Sequence, residues 1–328
     1  MTRNGPSREQ LLDAVSSAVL APSVHNTQPW LFRLSDDGVE VFADWRRRLP
    51  VADPTGRAVR VSCGAAVLNL RVALASMGFE AHADVGPIGD AALATVVVSG
   101  RRPPTPVDTA RQEAIGRRHT NRFPFLDTTV DSSERTDLVR AAQQEGAWLV
   151  PIVGPAALDL VATMVHEADR VLTADERYVS ELATWSRTGP DSVDGVSSTA
   201  GGPAPEPQDL LIGRDFGGHA RAPGRDFEQD PFVVVLGTPV DSLLADVDAG
   251  QALQQVLLTA TKHGLSVSLA SQPIDVPVIR ERLRIKLDRP GPPQMILRIG
   301  RGLRPPATGR RPIDEVLIAP GEPVPTPP

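Results

Sequence analysis

The chain has 328 residues, 41% hydrophobic and 4% aromatic, with a formal net charge of −6 and a single cysteine. This charge argues against a nucleic-acid or membrane surface, and one cysteine excludes an intramolecular disulfide. Six histidines, none at the i, i+4 spacing of a helical metal pair, leave no local zinc set, so no metal is expected.

No run of about 18 apolar residues is present, and the polar start Met1 to Glu9 lacks a signal peptide's apolar region, which predicts a cytoplasmic protein. Ser7 and Gln10 form a capping box, and Leu11, Leu12, Val15, Ala18 and Val19 keep one apolar face, so residues 8 to about 20 are predicted helical. The helix runs into Ala21-Pro22-Ser23-Val24-His25-Asn26-Thr27-Gln28-Pro29-Trp30. Pro22 and Pro29 fix φ and remove two backbone donors, which ends the helix and predicts an extended path into Trp30. Ser23, Asn26 and Gln28 are then presented as neutral donors and acceptors, a set that suits the amide-like edge of a planar heterocycle better than an ion. Trp30 to Leu34 and Val39 to Ala43 flank the hairpin signal Ser35-Asp36-Asp37-Gly38, and Arg46, Arg47 and Arg48 read as a solvated loop. A second helix, with Ala65, Leu68 and Val72 on its buried stripe, closes at Gly78; Cys63, near its expected start, reads as a small packing residue. Strands at about 80–85 and 92–98 lead to the proline-rich Arg101 to Pro106, the clearest boundary in the chain.

From Asp108 a short helix enters Gly116-Arg117-Arg118-His119-Thr120-Asn121-Arg122-Phe123-Pro124. Forked guanidinium donors beside a histidine and a hydroxyl, on a turn between helices, make an anion site. A helix capped near Ser132 or Ser133, a strand at 148–153 and helices across 155–186 follow. Residues 188 to 230 break every periodicity, with Pro190, Gly195, Gly201, Gly202, Pro203, Pro205, Pro207, Gly213, Gly217, Gly218, Pro223 and Gly224 as punctuation. Leu210, Leu211, Ile212, Phe216 and Phe227 within it need somewhere to pack, which predicts a lid rather than a disordered linker. Strand 232–238, helix 241–263, strand 265–269, helix 276–287 and strand 294–299 restore an α/β pattern. Gly300-Arg301-Gly302 is followed by Pro305 instead of a helix opening, so no Rossmann fingerprint is present. The tail from Ala319 is proline-rich and expected to be loose.

An internal repeat joins the halves. Cys63-Gly64-Ala65-Ala66-Val67-Leu68-Asn69-Leu70 through Met77-Gly78 lies without a gap over Ala249-Gly250-Gln251-Ala252-Leu253-Gln254-Gln255-Val256 through His263-Gly264. Each copy is followed by strand material ending in Gly100-Arg101 or Gly300-Arg301. The expected division is 1–104 and 105–318 as two halves, with 319–328 as the tail.

Ala-Pro-Ser-x-x-Asn-Thr-Gln-Pro-Trp resembles the flavin-ring segment of the FMN-dependent nitroreductase family, and Arg117 to Arg122 resembles that family's Arg-Arg-Ser-x-x-Arg turn. Length and the two-halved build resemble the family's Acg-type branch. The resemblance implies an α+β nitroreductase-like fold of two tandem halves forming a pseudo-dimer, with antiparallel-containing sheets and helices around them. It implies FMN as cofactor, with Pro22, Ser23, Val24, Asn26 and Gln28 at the ring. Arg117, Arg118, His119, Thr120 and Arg122 would then serve the phosphate, the ribityl chain and the pyrimidine edge. Ser271 and Gln272 fall where the family contacts the flavin N5 and O4, and Arg310 and Arg311 lie in what looks like its closing phosphate segment.

In that family one site takes its platform from one subunit and its arginine turn from the other. Here nothing arginine-rich precedes Ser7, and Glu145-Gly146-Ala147-Trp148 stands where the second platform should be. The losses are complementary, which predicts one FMN per chain held between the halves of a monomer. Two functions stay open: an oxidoreductase passing electrons from NAD(P)H to a small electrophile, needing no catalytic protein residue, or a flavin-sequestering store whose lid-covered FMN turns over little.

Overall fold

Two 20-residue helices, α2 (Arg57–Ser76) and α7 (Leu243–Lys262), cross at the centre of the computed structural model, which describes residues 5–86, 92–189, 192–221, 226–228 and 230–327. Both are apolar on nearly every face, the mark of a core helix. α2 is long and apolar enough to cross a membrane, yet 83% of that window is buried inside the protein. They touch backbone to backbone. A Cβ on Gly64 would lie 2.0 Å from the Val247 carbonyl oxygen, and one on Gly250 would lie 2.0 Å from that of Val61. These are one contact seen from its two sides, because Gly64 and Val61 occupy in the first repeat the places of Gly250 and Val247 in the second. One turn earlier the next equivalent pair meets: Arg60 Nε donates to Asp246 Oδ2 at 2.9 Å, both side chains buried.

On either side of the helix pair stands a four-stranded antiparallel sheet. The first holds β1 (Trp30–Leu34), β2 (Gly38–Ala43), β3 (Phe79–Val85) and β4 (Ala94–Arg101), in the order β1-β2-β4-β3. The second holds β5 (Trp148–Pro151), β8 (Phe232–Gly237), β9 (Ser266–Ala270) and β10 (Pro293–Gly300), in the order β5-β8-β10-β9. The topology is the same: helix, strand, strand, central helix, edge strand, inner strand. α1 (Arg8–Ala18) packs with α2 on the first sheet, and α4 (Ser132–Gln144) with α7 on the second. The second half adds helices between its last two strands, and the largest difference lies between the first two. Three hairpin residues join β1 to β2, whereas β5 and β8 are separated by α5 (Pro155–Thr173), α6 (Glu176–Thr184), the two-residue parallel pair β6 (Ser186–Arg187) and β7 (Val196–Ser197), and a long irregular segment. α5 joins α8 (Gln272–Asp275) and α9 (Pro277–Lys286) on the outer face of the second sheet.

The chain that follows the last strand of each sheet packs against the other sheet. After β4, α3 (Pro106–Arg117) leads to a turn that bridges Thr120 to Val267 on β9. After β10, the C-terminal arm returns to β1, where Phe32 N donates to Val316 O at 2.8 Å and Ile318 N to Phe32 O at 2.9 Å.

Several expectations need correction. Cys63 lies inside α2, not near its start, and burial pushes its thiol pKa well up, as suits a packing residue. α3 starts at Pro106, because proline's missing N–H costs nothing at the first helical position, and α4 is capped by Asp131 rather than a serine. The tail is not loose throughout. Arg33 Nη2 donates to Glu322 O at 2.7 Å, and Val324 packs near Leu31, Phe42 and Ala92 over the outer face of the first sheet. Of the sequence features noted above, Met1 to Asn4, Pro190, Pro223 and Gly224 lie outside the described residues.

The glycine contact makes a stability prediction. Gly64→Ala or Gly250→Ala drives a methyl into a backbone carbonyl that cannot rotate away, and should lower the unfolding free energy by about 3 kcal/mol, the upper range of overpacking. Gly116→Ala, with nothing within 4 Å of its would-be Cβ, should be neutral or stabilising by up to about 1 kcal/mol. Urea titrations of the three variants check this.

Candidate functional site

The segment between the two prolines is bent, not extended. Residues Val24–Asn26 form a 3-10 turn, and His25, Asn26 and Gln28 have φ of 46°, 55° and 51°. Each left-handed non-glycine residue costs about 1 kcal/mol or more and persists only where its surroundings hold it. Here the hold is a set of hydrogen bonds. Ser23 Oγ accepts from Gln28 N at 2.9 Å; Asn26 Nδ2 donates to Gly195 O at 3.0 Å and Gly309 O at 3.1 Å. Gln28 Nε2 donates to Val193 O at 2.8 Å, and its Oε1 accepts from Arg311 N at 2.8 Å. The amides that the sequence assigns to a ligand therefore bind the long segment and the C-terminal arm. Gln28 is fully engaged and lines neither of the two cavities described below, while Asn26 keeps an edge on one.

The arginine turn is fixed from below. Asn121 N donates to Val267 O at 2.8 Å, and its side chain reaches Ser266 Oγ and Leu303 O. Arg118 is buried and donates once, to Leu20 O at 3.3 Å, leaving Nε and Nη1 without protein partners. Arg122 donates to Ala200 O at 3.1 Å and lies 5.1 Å over the Phe216 ring. Arg310, from the C-terminal arm, donates to Thr308 Oγ1 at 2.8 Å and to Asn26 Oδ1 at 3.2 Å. Among the described residues none of these three guanidiniums meets a carboxylate, whereas Arg57, Arg214 and Arg298, equally enclosed, are ion-paired to Asp275 or Glu228. The electrostatic signature follows. Burial, then Arg310 and Arg122, push Arg118 down to about 9; burial pushes Arg310 to about 10, and burial then Arg214 push Arg122 to about 10. His119 is driven to about 4 by burial, then by Arg118, Arg304 and Arg310, so at neutral pH it carries no charge.

Two adjoining cavities meet at Pro22, Ser23, Thr120 and Arg122. The smaller is lined by Asn26, Arg118, His119, Thr308 and Arg310, with Val196 and Pro306 as walls. The larger is lined by Val24 and His25 from the first half, Arg57 and Val61 from α2, Leu253 from α7, and Ser271, Gln272, Met295 and Arg298 from the second half. Its remaining wall is the long segment: Gly201, Pro203, Pro205, Asp209, Leu211, Ile212, Arg214, Phe216 and Phe227. That wall is anchored. Arg214 Nη2 donates to Asp275 Oδ2 at 2.7 Å and Ser271 Oγ at 2.8 Å, and its Nε to the Tyr178 hydroxyl at 2.9 Å; Gln272 Nε2 donates to Ile212 O at 3.1 Å. Arg47 is no solvated side chain. It pairs with Asp194, donates to Thr27 O and lies 5.3 Å over Trp185, tying the segment to the platform.

Of the sequence-chosen residues, Pro22, Ser23, Val24, Asn26, Arg118, His119, Thr120, Arg122, Ser271, Gln272 and Arg310 line these cavities. Gln28, Arg117 and Arg311 do not: Arg117 is exposed at the end of α3, and Arg311 is buried against Asp44 and Glu315. Sequence reasoning missed His25, Arg57, Arg214 and Arg298. His25 stood inside the segment already singled out, and its place between Pro22 and Pro29 is the one signal in the sequence that could have drawn attention to it.

No protein-family model matches the chain. It is 33% identical over 98% of its length to Rv3131 of Mycobacterium tuberculosis, which bears the name of an NAD(P)H nitroreductase, and covers 95% of that protein. It is 30% identical over 93% of its length to Acg of the same organism, also named as an NAD(P)H nitroreductase, covering 94% of it. Among solved structures it is similar to a nitroreductase with bound FMN from Desulfitobacterium hafniense, at 16% identity and a TM-score of 0.41, over 63% of this chain and 95% of that one. That last likeness is too distant to place any residue.

An unpaired buried guanidinium burdens the ligand-free fold. Arg118→Met should therefore raise the stability of the ligand-free protein by about 1–3 kcal/mol, since a buried charge replaced by an apolar group of similar length is often stabilising. Millimolar inorganic phosphate should raise the melting temperature of the parent and not that of this variant. Thermal melts with and without phosphate test both halves of this statement.

Proposed function

The chain belongs to the NAD(P)H nitroreductase family, of the Acg type, and from that premise we propose that it is an FMN-dependent oxidoreductase holding one FMN per chain between its two halves. The observation that carries this is the set Arg118, Arg122 and Arg310, guanidiniums without a carboxylate partner among the described residues, beside a half-apolar cavity. The orphaned Nε and Nη1 of Arg118 and Nε of Arg310 fit a phosphate monoester, whose oxygens accept forked donors. Arg118, His119, Thr120, Thr308 and Arg310 would hold that phosphate. Neutral His119 can donate or accept, and Thr120 adds a hydroxyl donor. Arg122, between the two cavities, would face the pyrimidine edge, with Pro22, Ser23 and Val24 along one face of the ring and Ser271 and Gln272 toward its far edge. Gln28 and Arg311 are positioning residues in this reading, since each holds another segment in place. FMN would supply the hydride and electron chemistry between NAD(P)H and a small electrophile such as a nitro compound or quinone. The protein's own work is binding, orientation and exclusion of water; no side-chain acid or base is asked for. Because the α2–α7 contact lies within one chain, the site needs no second copy, which supports a monomer.

A second reading has its own observation. Residues 201–216 wall the larger cavity, and their segment is tied down by Asp194, Gly195 and Arg214, so that a flavin beneath it would be shielded from nicotinamide. In that case the protein stores FMN and turns over little.

Purified protein should carry one FMN per chain and run as a monomer by light scattering at low micromolar concentration. Arg118→Ala should weaken FMN binding by about 1.5–3 kcal/mol, the scale of a hydrogen bond to a charged group, and Arg117→Ala should leave it nearly unchanged. Two flavins per chain, or equal losses from both variants, would sink the assignment. Anaerobic stopped-flow mixing with NADH and NADPH separates the readings: reduction within seconds supports the reductase, and reduction slower than flavin release supports the store.

A further inference from the structure

His25 is 4% exposed, and neither ring nitrogen has a hydrogen-bond partner in the protein. Its ring meets Phe216 of the long segment edge to face, with centroids 5.5 Å apart and planes at 83°. Phe216 is itself 4% exposed and takes Arg122 on its own ring. The imidazole is thus sealed by the segment that walls the larger cavity. We propose that His25 and Phe216 form a proton-sensitive latch, in which residues 201–221 close over the cavity while His25 is neutral and are released when it takes up a proton. This rests on the reading of that segment as a cover.

The charged surroundings decide the sign. Arg122, from the turn after α3, and Arg214, from the segment itself, are the groups that face the ring. Arg214 is balanced by Asp275, and Arg122 has no carboxylate partner among the described residues. The other ionic groups on the same cavity are already committed: Arg57 to Asp275, Asp209 to Arg221, and Arg298 to Glu228. A proton on His25 in the closed form would add a cation beside Arg122, with no uncommitted anion among the described residues to offset it. Burial first, then Arg214 and Arg122, hold its pKa well below the ordinary value. When the segment lifts, Phe216 and Arg214 leave with it, both nitrogens reach water, and the imidazole returns to its usual value of about 6.5. The open form then binds the proton that the closed form refuses. Acid favours opening, and the opening equilibrium should rise about tenfold between pH 7.5 and pH 5.5.

Hydrogen exchange read by mass spectrometry on peptides within 210–221, corrected for intrinsic rates, measures that equilibrium in the full chain, with or without flavin. The parent should show the tenfold rise while α2 stays protected. His25→Asn, which tolerates the left-handed backbone and does not titrate, should be flat. Phe216→Leu should open further at pH 7.5 and show a smaller pH slope. FMN release, followed by the fluorescence of free flavin, should track the same profile in each variant. A flat parent, an equal slope in His25→Asn, or loss of α2 protection at pH 5.5 overturns the latch. A chain that carries no FMN overturns the proposed function instead, and leaves the exchange data to judge the latch alone.

Discussion

The contact between Gly64 and Gly250 is the constraint from which the rest is set. Two helices can approach until backbone meets backbone only where no side chain intervenes, and each glycine sits under the other helix's carbonyl. That separation fixes how the two sheets face one another. It also fixes where the end of α1 in one half lies relative to the arginine turn in the other, and those two pieces become opposite walls of one cavity. The crossing chain ends then lock the arrangement, with the turn stitched to β9 and the arm stitched to β1. Either half alone would hold only part of the lining of these cavities.

Within this frame the site is a local imbalance of charge. Most enclosed arginines of the protein have been given carboxylates, some shared: Asp275 alone serves Arg57 and Arg214. Arg118, Arg122 and Arg310 have none among the described residues, and their proton affinities are depressed accordingly. The left-handed residues at 25, 26 and 28 add backbone strain at the same place. Both are costs that a fold retains when something else returns the free energy on binding, the usual economy of a functional site.

What could be read from the sequence was whatever depends on neighbours along the chain. The capping box at Ser7, the hairpin at 35–38 and the arginine turn rest on spacings of a few residues, and the helix repeat on the likeness of two continuous stretches. Failures came where a residue's partner lies far away in sequence. Gln28 and Asn26 looked like ligand donors because nothing nearby claims them; their partners are Val193, Gly195, Gly309 and Arg311. Arg47 looked solvated for the same reason, with Asp194 nearly half the chain away. The tail looked loose because prolines suggest it, while Arg33 and the apolar outer face of the first sheet hold it. The apolar residues of the long segment were visible in sequence; that they would wall this cavity depends on Asp275 and Tyr178, which no local pattern links to Arg214.

The ion pair between Arg60 and Asp246 bears on how such a chain is committed to its own connectivity. The two residues are counterparts in the repeat and meet where the halves are related to one another. In an assembly of identical subunits a residue at that place must face its own copy, so it has to be neutral or tolerate repulsion. Opposite charges at equivalent positions are open only to halves that differ. Two first halves brought together would bury arginine against arginine, and two second halves aspartate against aspartate, each an uncompensated pair in a dry interface. The pair therefore favours contact between unlike halves at this place and disfavours contact between like ones.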